Sequence, residues 1–438
     1  MSFRNFVKLF IPKGVFKKIE PTGHLLEAIF FNLIQGFPFR GLTVIGVTGT
    51  NGKTTTSFMI HSILRKAGYS SGLMTTIGYG VNEQIEPQVH HMTTVSTPLL
   101  IKRIKSMKKA GIDYLVLETT SHALAQNRVW AIPYSVAVLT NMTHEHISYH
   151  GSFEKYVEAK LKLFKMTNRN KRGLRMGIIN HDDPVCNKFA NCIEHKLFYG
   201  LEGGNLVARN IQLNSEKSSF NVQYMGEDIK IDCNLPGSFN LYNCLAAIGV
   251  AQVLKIKPAF VKEGIKTLTY VEGRMNKIDL GQNFKVIVDY AHTPDSYQKL
   301  FEDIRPISKN RIITVFGSLG GGDLNKRPEQ GRIAAKYSDI VVLCEEDDRK
   351  EDGQKIINDI SAGCLGEGKL LNKDLFHIHN RDDAIKFAIK TARKGDLVLV
   401  LGKGHEKTIE HADGEHPWSD INQTKLAIRQ RLNSSVDS

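Results

Sequence analysis

The chain of 438 residues is poor in several features that mark specialised classes of protein. Its six cysteines include no Cys-x-x-Cys pair, which argues against a disulfide scaffold and against zinc sites of that spacing. No apolar run approaches the roughly 18 residues of a membrane-spanning helix, and the longest, 25–34, contains Glu27 and Asn32. No signal peptide is expected, because the N-terminus lacks an apolar core followed by a small-residue cleavage site. These absences predict a cytoplasmic protein with reduced cysteines.

Positive charge, in contrast, is in excess. The chain carries 58 basic and 45 acidic residues, a formal net charge of +13. This surplus favours anionic ligands such as nucleotides, nucleic acid or a membrane surface, and it fits a plain solvated basic exterior equally well. Nucleic acid is not an expected partner, because the sequence has no basic stripe with interleaved aromatics and no motif typical of nucleic-acid binding.

The order of apolar runs predicts an α/β fold with two domains. From residue 42 onward, buried strands alternate with amphipathic helices, which is typical of parallel sheets. We expect a central domain over 42–271, with a small β insertion near 206–233, and a second α/β domain over 272–438. The short basic segment 1–41 has two open interpretations, an amphipathic helix at a membrane surface or a segment packed on the next domain.

A glycine-rich loop between a predicted strand and a predicted helix carries the clearest chemical signal. Its sequence, GVTGTNGKTTT over 46–56, lets backbone N–H groups face phosphate oxygens at a helix N-terminus. Lys53 would neutralise phosphate charge, and the Thr54 hydroxyl would reach Mg²⁺. The strict GxxxxGKS/T pattern is missed, because its first glycine is Val47 here. In this context the loop still predicts nucleotide binding rather than a structural turn.

Carboxylate and imidazole groups follow the next two predicted strands. Glu118 ends one buried strand with His122 just after it, and NMTHEH at 141–146 follows the other. Because the carboxyl ends of parallel strands share one edge of the sheet, these groups are expected near the phosphate loop. They suit a hard cation with few protein ligands. Each histidine alone is better explained as a structural residue, whereas their joint position favours a metal site.

Three further loops follow strands of the second predicted domain. DYAHTP at 289–294 can present Asp289 and His292 to phosphates, and GKGHE at 402–406 follows the last strand. The glycine-rich FGSLGGGD at 316–323 lacks the GxGxxG pattern and is weak evidence for a dinucleotide cofactor. Taken singly, each loop also fits a plain turn or a capped helix.

Together, these motifs resemble the Mur ligase family of ATP-dependent amide-bond synthetases. TGTNGKTTT, ETTSHALAQNRV at 118–129, NMTHEHISYHGSFEKYVEAKLKLF at 141–164, DYAHTP and GKGHE are similar to the family's ordered motifs over about 42–425. The likeness is strongest to the tripeptide synthetases of the family. It implies a central P-loop ATPase-type domain with a parallel sheet and a C-terminal Rossmann-like α/β domain that binds the amino acid.

The resemblance also implies roles for individual residues. ATP would be bound by the phosphate loop and the domain hinge, through Gly49, Thr50, Asn51, Gly52, Lys53, Thr54, Thr55, Asn240, Arg274 and Asp289. The lysine matching Lys160 is carbamylated by CO₂ in the family, and magnesium, two ions in all, would be held by Thr54, Glu118, His146 and this carbamate. Catalysis would involve Lys53, Lys160 and His292. The acceptor and the amino acid would contact Ser96, Thr97, Ser121, Gln126, Arg128, Asp347, Arg349, Gly402 and Glu406.

The reaction so implied adds a diamino acid to UDP-N-acetylmuramoyl-L-alanyl-D-glutamate through an acyl phosphate, in peptidoglycan precursor synthesis. Three departures from the family bear on it. Only 41 residues precede the first predicted strand, where members usually have a UDP-binding domain. The DNPR selector of diaminopimelate-adding members is EDDR at 346–349, and the loop 320–326 is short and lacks a family arginine. Meso-diaminopimelate is expected ahead of L-lysine, and the choice between them stays open.

Two other functions remain open from the sequence. A γ-glutamyl ligase of the folylpolyglutamate or poly-γ-glutamate type would need no UDP-binding domain, although the match over 118–164 argues against it. A nucleotide-dependent switch or scaffold, attached to a membrane through 1–41, would need neither Lys160 nor GKGHE. The expected partners are nucleotide-sugar peptide and amino-acid substrates of a monomeric chain, with at most peripheral membrane contact.

Overall fold

The computed structural model describes residues 13–88, 92–214 and 217–434. Residues 1–12, the first part of the basic N-terminal segment, lie outside the described residues. The described part of that segment forms α1 (Lys13–Gln35), which packs on the central domain. Asn127 Nδ2 donates a hydrogen bond to the Pro21 carbonyl at 3.2 Å, and Lys105 Nζ donates to Gln35 Oε1 at 2.7 Å.

The central sheet has nine strands, of which all but one run in the same direction. Its members are β1 (Thr43–Thr48), β2 (Ser71–Met74), β3 (Gly78–Val81), β4 (Gln84–Pro87), β5 (Tyr114–Glu118), β6 (Tyr134–Leu139), β7 (Met176–Asn180), β8 (His195–Gly200) and β9 (Leu206–Val207). The order is β4-β3-β2-β5-β1-β6-β7-β8-β9, and β3 and β4 form an antiparallel edge. The strand β1, which precedes the phosphate loop, therefore lies at the centre between β5 and β6.

Helices cover both faces of this sheet. They are α2 (Lys53–Lys66), α3 (Thr97–Lys109), α4 (Ser121–Ala125), α5 (Ile147–His150), α6 (Phe153–Arg169), α7 (Cys186–Ala190), α8 (Phe239–Val253) and α9 (Pro258–Lys266). Because successive strand side chains point to opposite faces, Val116 packs with Ile63 of α2, while Leu117 packs in the core that contains Phe164 of α6. This two-sided burial explains why the strands read as continuous apolar runs.

The β insertion is a three-stranded antiparallel sheet of β10 (Arg209–Leu213), β11 (Ser218–Tyr224) and β12 (Glu227–Cys233). Alternate residues of β11, including Phe220 and Val222, are buried in the same core as α2 and α8. The insertion therefore shares the core of the central domain.

The C-terminal domain is a second α/β layer structure. Its sheet consists of β13 (Asn276–Lys277), β14 (Lys285–Asp289), β15 (Ile312–Phe316), β16 (Ile340–Leu343), β17 (Leu375–His377) and β18 (Leu397–Leu401). The order is β13-β14-β18-β15-β16-β17, parallel except at β13. Around it lie α10 (Pro294–Ile304), α11 (Lys326–Tyr337), α12 (Gly353–Gly366), α13 (Arg381–Thr391), α14 (Asp420–Ser434) and a hairpin of β19 (Thr408–His411) and β20 (Gly414–Pro417).

The α/β architecture predicted from the sequence is confirmed, and the differences are local. The sequence pattern predicts a helix over about 153–164. The observed helix continues to Arg169, and its Thr167 hydroxyl donates a hydrogen bond to the Leu163 carbonyl at 2.9 Å. The short strands β3, β4, β17, β19 and β20 were not predicted, because three or four residues carry too little periodicity. Within the described part of the chain, no helix is both long and apolar enough to cross a membrane.

Candidate active site

The phosphate loop is the turn between β1 and α2, and its backbone is fixed by the end of β6. The Thr50 N–H donates to the Asn141 carbonyl at 2.7 Å, and the Asn51 N–H donates to Asn141 Oδ1 at 2.9 Å. In return, the Thr140 hydroxyl donates to the Asn51 carbonyl at 2.6 Å. The loop therefore has its shape before any ligand binds.

Two positions of the loop have room for glycine but not for a residue with a side chain. Gly49 and Gly52 have φ angles of 147° and 81°. A Cβ atom on Gly49 would lie 1.9 Å from Thr140 Oγ1, and one on Gly52 would lie 2.3 Å from Asn243 Oδ1. Gly52 also caps α2 without any side-chain hydrogen bond, so the first N–H groups of the helix stay open to an anion.

A carboxylate lies directly beside the start of α2. Glu118, at the end of β5 and only 1% exposed, accepts a hydrogen bond from Thr54 Oγ1 at 2.9 Å. The backbone N–H and the hydroxyl of Thr76 each donate to Glu118 at 3.0 Å. Thr76 was not singled out from the sequence, because it lies in the unpredicted turn before β3. A hydroxyl and a carboxylate in contact next to a phosphate loop are ligands that fit Mg²⁺.

Lys160, which looks like a surface charge by helical spacing, is buried instead. It is 2% exposed, and its Nζ atom donates to the Gly49 carbonyl at 2.6 Å. Nζ also lies 4.7 Å from the centre of the Tyr156 ring. Burial, together with the positive charge of Lys53, holds the pKa of the Lys160 amine well below its usual range, although Glu145 and Glu118 act in the opposite direction. Lys53 itself donates to the Thr50 carbonyl at 2.7 Å.

A carboxylate that the sequence reasoning missed joins the two domains. Glu145 Oε1 lies 3.4 Å from His292 Nε2 of the C-terminal domain, and Glu145 Oε2 lies 3.6 Å from His146 Nε2. Burial by itself would raise the pKa of Glu145, but His146, His292 and Lys53 outweigh it and keep the pKa below its ordinary value. Burial lowers the pKa of His146. Glu145 belongs to the NMTHEH motif but was not singled out, because its partner lies 147 positions further along the chain.

A cavity of about 570 Å³ opens beside the phosphate loop, between the two domains. It is lined by many of the predicted nucleotide-binding residues, namely Asn51, Gly52, Thr54, Thr55, Asn240, Arg274, Asp289 and His292. Residues that the sequence reasoning did not name also line it, among them Asn180, Asp182, Asp183, Tyr242, Asn243 and Lys299. Polar groups converging on a cleft of this size are typical of a site for a nucleotide-sized ligand.

The hinge side of the cavity is held by the predicted residues themselves. The Asp289 carboxylate accepts hydrogen bonds from the N–H groups of Met275 and Ala291, both at 2.7 Å, and burial raises its pKa. The Arg274 guanidinium lies 4.6 Å from the centre of the Tyr290 ring. Asp289 therefore fixes the chain where one domain continues into the other.

The side chains predicted for the acceptor lie around α3, α4 and α5. The Thr97 hydroxyl donates to the Arg128 carbonyl at 3.2 Å, and the Arg128 guanidinium donates to the carbonyl of Val95 at 3.2 Å. Ser96 immediately precedes α3 as its N-cap. The structure thus brings the segment 94–97 and Arg128 together.

The other two predicted acceptor residues contact α5. Ser121 Oγ lies 3.0 Å from His150 Nε2, and Gln126 Nε2 donates to the Tyr149 hydroxyl at 3.0 Å. His122 stacks near the same tyrosine, with ring centroids 4.1 Å apart, and burial lowers its pKa to about 3. These side chains therefore form a polar group between α4 and α5.

The residues predicted for the amino acid are brought together by a lysine that the sequence analysis did not single out. Lys403 Nζ lies 2.7 Å from Asp347 Oδ1 and 2.5 Å from Glu406 Oε2. The Arg349 Nε–H donates to Glu410 Oε2 at 3.0 Å. The GKGHE loop and the 346–349 segment therefore form one charged cluster at the carboxyl end of the C-terminal sheet.

Glu346 adds a buried carboxylate to this cluster. Its Oε2 atom has no hydrogen-bond partner among the described residues, and burial raises its pKa. Gly402 has a φ angle of 111°, and a Cβ atom there would lie 2.6 Å from Glu346 Oε2. The glycine therefore leaves room for this carboxylate.

Comparison with known proteins decides the family. The family model of the Mur ligase middle domain matches residues 47–251, and that of the Mur ligase, glutamate ligase domain matches residues 273–404. The UDP-N-acetylmuramyl-tripeptide synthetase of Borreliella afzelii is 38% identical over 406 residues, which are 91% of this chain and 79% of that protein. The chain belongs to the Mur ligase family.

Other Mur ligases show similar agreement. The UDP-N-acetylmuramoyl-L-alanyl-D-glutamate–2,6-diaminopimelate ligase of Geobacillus thermodenitrificans is 35% identical over 418 residues, covering 94% of this chain and 84% of that protein. A solved structure of such a diaminopimelate ligase matches with a TM-score of 0.61 at 29% identity, over 90% of this chain and 79% of that chain. The Mycobacterium tuberculosis folylpolyglutamate synthase has a TM-score of 0.70 but 16% identity, which shows a shared fold only. The resemblance predicted from the motifs is thus confirmed.

Proposed function

We propose that this Mur ligase uses ATP to join a diamino acid to UDP-N-acetylmuramoyl-L-alanyl-D-glutamate in the synthesis of peptidoglycan precursors. Homologues with tripeptide-synthetase and diaminopimelate-ligase names support this function. The observation that carries the proposal is the buried Lys160 amine against the phosphate loop. A ligase of this family uses such a lysine, whereas a nucleotide switch or scaffold has no use for it.

The arrangement supports a reaction through an acyl phosphate. A substrate carboxylate oxygen attacks the γ-phosphorus of ATP, and ADP leaves. The amine of the amino acid then attacks the acyl carbon, phosphate departs with the bonding electrons, and the amine loses a proton. Lys53 and the open N-terminus of α2 stabilise the phosphate charge during the first step. Closure of the two domains holds the acyl phosphate next to the amine and away from water.

Magnesium fits the residues beside the loop. Thr54 and Glu118 offer a hydroxyl and a buried carboxylate in contact with each other, and His146 lies on the loop that follows β6. Bound there, Mg²⁺ would spread the negative charge of the transferring phosphoryl group. We propose two such ions, with Thr54, Glu118, His146 and a carbamate on Lys160 as the protein ligands.

The state of Lys160 supports the proposed carbamate. Only a neutral amine adds to CO₂, and burial favours that form here. The nitrogen lone pair bonds to the CO₂ carbon, a proton leaves the nitrogen, and a carboxylate results. A cation that is costly to bury thereby becomes an anion suited to hold Mg²⁺.

We infer that the amino acid enters between the GKGHE loop and the 346–349 segment. A side-chain ammonium would find Glu346 and Asp347 there, whereas a second carboxylate would need the Arg349 guanidinium, now paired with Glu410. Both meso-diaminopimelate and L-lysine carry the ammonium, and only the former carries the carboxylate. Arg349 therefore decides between them, while Gly402 and Glu406 orient the amino-acid end of the molecule.

The acceptor is placed on the opposite side, against α3, α4 and α5. We propose that Ser96, Thr97, Ser121, Gln126 and Arg128 bind the nucleotide-sugar peptide, whose carboxylate then faces the phosphate loop. Since ATP and nucleotide sugars are its substrates, we propose that the protein works in the cytoplasm as a monomer.

The deciding experiment is phosphate release from ATP with UDP-N-acetylmuramoyl-L-alanyl-D-glutamate and either meso-diaminopimelate, L-lysine or no amino acid. We expect release that depends on one amino acid, together with a product whose mass has increased by that residue. If no amino acid gives phosphate release, but a folate or another γ-glutamyl acceptor does, the γ-glutamyl ligase alternative replaces the proposal. ATP binding without release under any condition would favour the switch.

Arg349→Ala tests the selection of the amino acid in the same assay. We expect the KM for meso-diaminopimelate to rise by about 10-fold or more, because a bidentate carboxylate contact is lost, while the KM for L-lysine changes little. The KM for ATP should stay constant. A change confined to the ATP KM would contradict the placement of the amino acid in the C-terminal domain.

A further inference from the structure

Two carboxylates and one imidazole lie together next to the proposed amino-acid pocket. The reaction described above uses none of these three groups. Glu345 and Asp348 follow β16, and His379 follows β17, the parallel neighbour of β16. One ligating atom from each residue lies within 4.8 Å of the other two. On the hairpin, His411 Nδ1 lies 3.7 Å from Glu345 Oε2.

Among the described residues, no lysine or arginine side chain forms an ion pair with either carboxylate. Glu345 and Asp348 are each 6% exposed. The buried Arg381 guanidinium is engaged by Asp420, at 2.8 Å from Nε and 2.7 Å from Nη2. The Glu345 side chain instead accepts a hydrogen bond from the backbone N–H of Arg381, at 3.0 Å. Since burying ionised carboxylates without a cation is costly, the cluster as it stands needs positive charge.

One carboxylate oxygen of the cluster has no hydrogen-bond partner in the part of the chain that the structure describes. Asp348 Oδ2 lies 2.9 Å from His379 Nε2, whereas Asp348 Oδ1 is buried with no hydrogen bond among the described residues. Gly353, the first residue of α12, leaves the space that this pair occupies. A Cβ atom there would lie 2.1 Å from both Asp348 Oδ2 and His379 Nε2.

We propose that Glu345, Asp348 and His379 bind one Zn²⁺ ion, with His411 as a fourth ligand. Mixed imidazole and carboxylate ligands suit Zn²⁺, whereas Mg²⁺ prefers oxygen ligands and water. The site lies in the C-terminal domain and is distinct from the magnesium ligands beside the phosphate loop. It would connect the 345–349 segment to the β19–β20 hairpin, where Glu410 pairs with Arg349.

Direct binding tests the site without any ligase substrate, so the result does not depend on the proposed function. The chelator-treated full chain is titrated with Zn²⁺ alone against a chromophoric competitor, and with Mg²⁺ alone for comparison. We expect the wild type to bind about one equivalent of Zn²⁺ that His379→Gln binds roughly 10- to 100-fold more weakly. Zn²⁺ should also raise the Tm of the wild type.

Two further variants make the outcome specific. Asp348→Asn should weaken Zn²⁺ binding as much as His379→Gln does. His195 is an exposed histidine on β8 of the central domain, and His195→Gln should bind Zn²⁺ as the wild type does. Substitution with Co²⁺ should give visible absorption bands that His379→Gln lacks. Equal Zn²⁺ affinity of wild type and His379→Gln, or no Zn²⁺ uptake by the wild type, would overturn the proposal.

Discussion

At the scale of single residues, buried ionisable side chains carry the chemistry proposed for this protein. Glu118, Lys160 and Lys403 are all buried, and each contacts a loop that is proposed to bind substrate. Ionisable groups are rarely placed in protein interiors without a partner or a function, because removing them from water is costly. Of these three side chains, Lys160 has the least compensation for its burial, since its hydrogen-bond partner is a neutral carbonyl.

Replacing Lys160 should therefore separate activity from stability. We expect Lys160→Met to lower phosphate release by about 100-fold or more, because the proposed carbamate ligand of Mg²⁺ can no longer form. The free energy of unfolding should stay equal or rise, because a buried amine gives way to an apolar side chain of similar length. Denaturant unfolding and the phosphate assay measure the two effects.

The matched control is Lys162→Met. Lys162 lies on the same helix but is exposed, and its Nζ donates to the Leu124 carbonyl at 3.3 Å. It should leave turnover close to that of the wild type. Near-normal turnover of Lys160→Met, or its rescue by excess bicarbonate, would contradict the carbamate role.

At the scale of elements, the start of α2 shapes the phosphate site, and the pairing of α11 with α12 stabilises the C-terminal domain. α2 begins at a glycine with a left-handed backbone, and its N-terminus carries no side-chain cap. In the C-terminal domain, the fully buried Arg327 guanidinium of α11 bonds to Glu351 at 2.8 Å and 2.7 Å and to Asp359 of α12 at 2.9 Å. The first arrangement serves the phosphates, and the second holds two helices together.

Gly52→Ala should remove ATP binding, whereas Gly68→Ala should not. Both glycines have positive φ angles, 81° and 88°, so each alanine costs about 1 kcal/mol of backbone strain. Only at Gly52 does a Cβ atom collide with a neighbour, Asn243, inside the phosphate site. Calorimetric titration with ATP and Mg²⁺ checks the expected loss. Equal ATP affinity of the two variants would contradict the assignment of the loop.

Arg327→Met should destabilise the C-terminal domain by roughly 2–3 kcal/mol, because charge-assisted hydrogen bonds are lost from a buried guanidinium. The control is Arg332→Met. Arg332 is exposed and pairs with Glu329 on the same helix, so this substitution should lower the free energy of unfolding by less than about 1 kcal/mol. Urea unfolding of both variants measures the difference. Equal effects of the two substitutions would contradict the role of Arg327 as a clamp between the helices.

The same clamp predicts a dependence on pH. Hydrogen bonds from Arg327 lower the pKa of Glu351 to about 2. A carboxyl group whose pKa is lower in the folded state stabilises the protein above the ordinary pKa near 4.3, and this contribution is lost as the pH falls from there towards 2. The loss of stability over that window should be smaller in Arg327→Met than in the wild type, as followed by urea unfolding at several pH values.

At the scale of the whole molecule, a few polar contacts connect the two domains across the nucleotide cavity. Glu145 meets His292, and Asn51 Nδ2 donates to Asp295 Oδ2 at 2.9 Å. Both contacts begin at loops that hold the phosphate site and end near the start of α10. The contacts that join the two domains therefore lie at the proposed ATP site.

A double-mutant cycle measures this connection. We expect Glu145→Gln and His292→Gln to lower kcat/KM for ATP with a coupling energy of about 1 kcal/mol, because each removes the partner of the other. Glu145→Gln combined with the distant His195→Gln should be additive within about 0.5 kcal/mol. Strict additivity of the first pair would show that the two side chains do not interact during catalysis.

Features that local patterns encode could be predicted from the amino-acid sequence. Apolar patterns predicted the α/β domains, because strands buried on both faces are continuous apolar runs and packed helices carry one apolar face. Glycines and Lys53 marked the phosphate loop, since only such residues permit that turn beside an anion. The order of these motifs was enough to predict the family, and the comparisons confirmed it.

Tertiary structure alone decided which distant side chains meet. Helical spacing places Lys160 on a surface, and only the packing of α6 against β1 and its loop buries it. Glu145 and His292 meet because two domains face each other, and Lys403 joins Asp347 because β18 and β16 both lie beside β15 in one parallel sheet. Such contacts depend on long-range packing, for which neighbouring residues in the chain carry no signal.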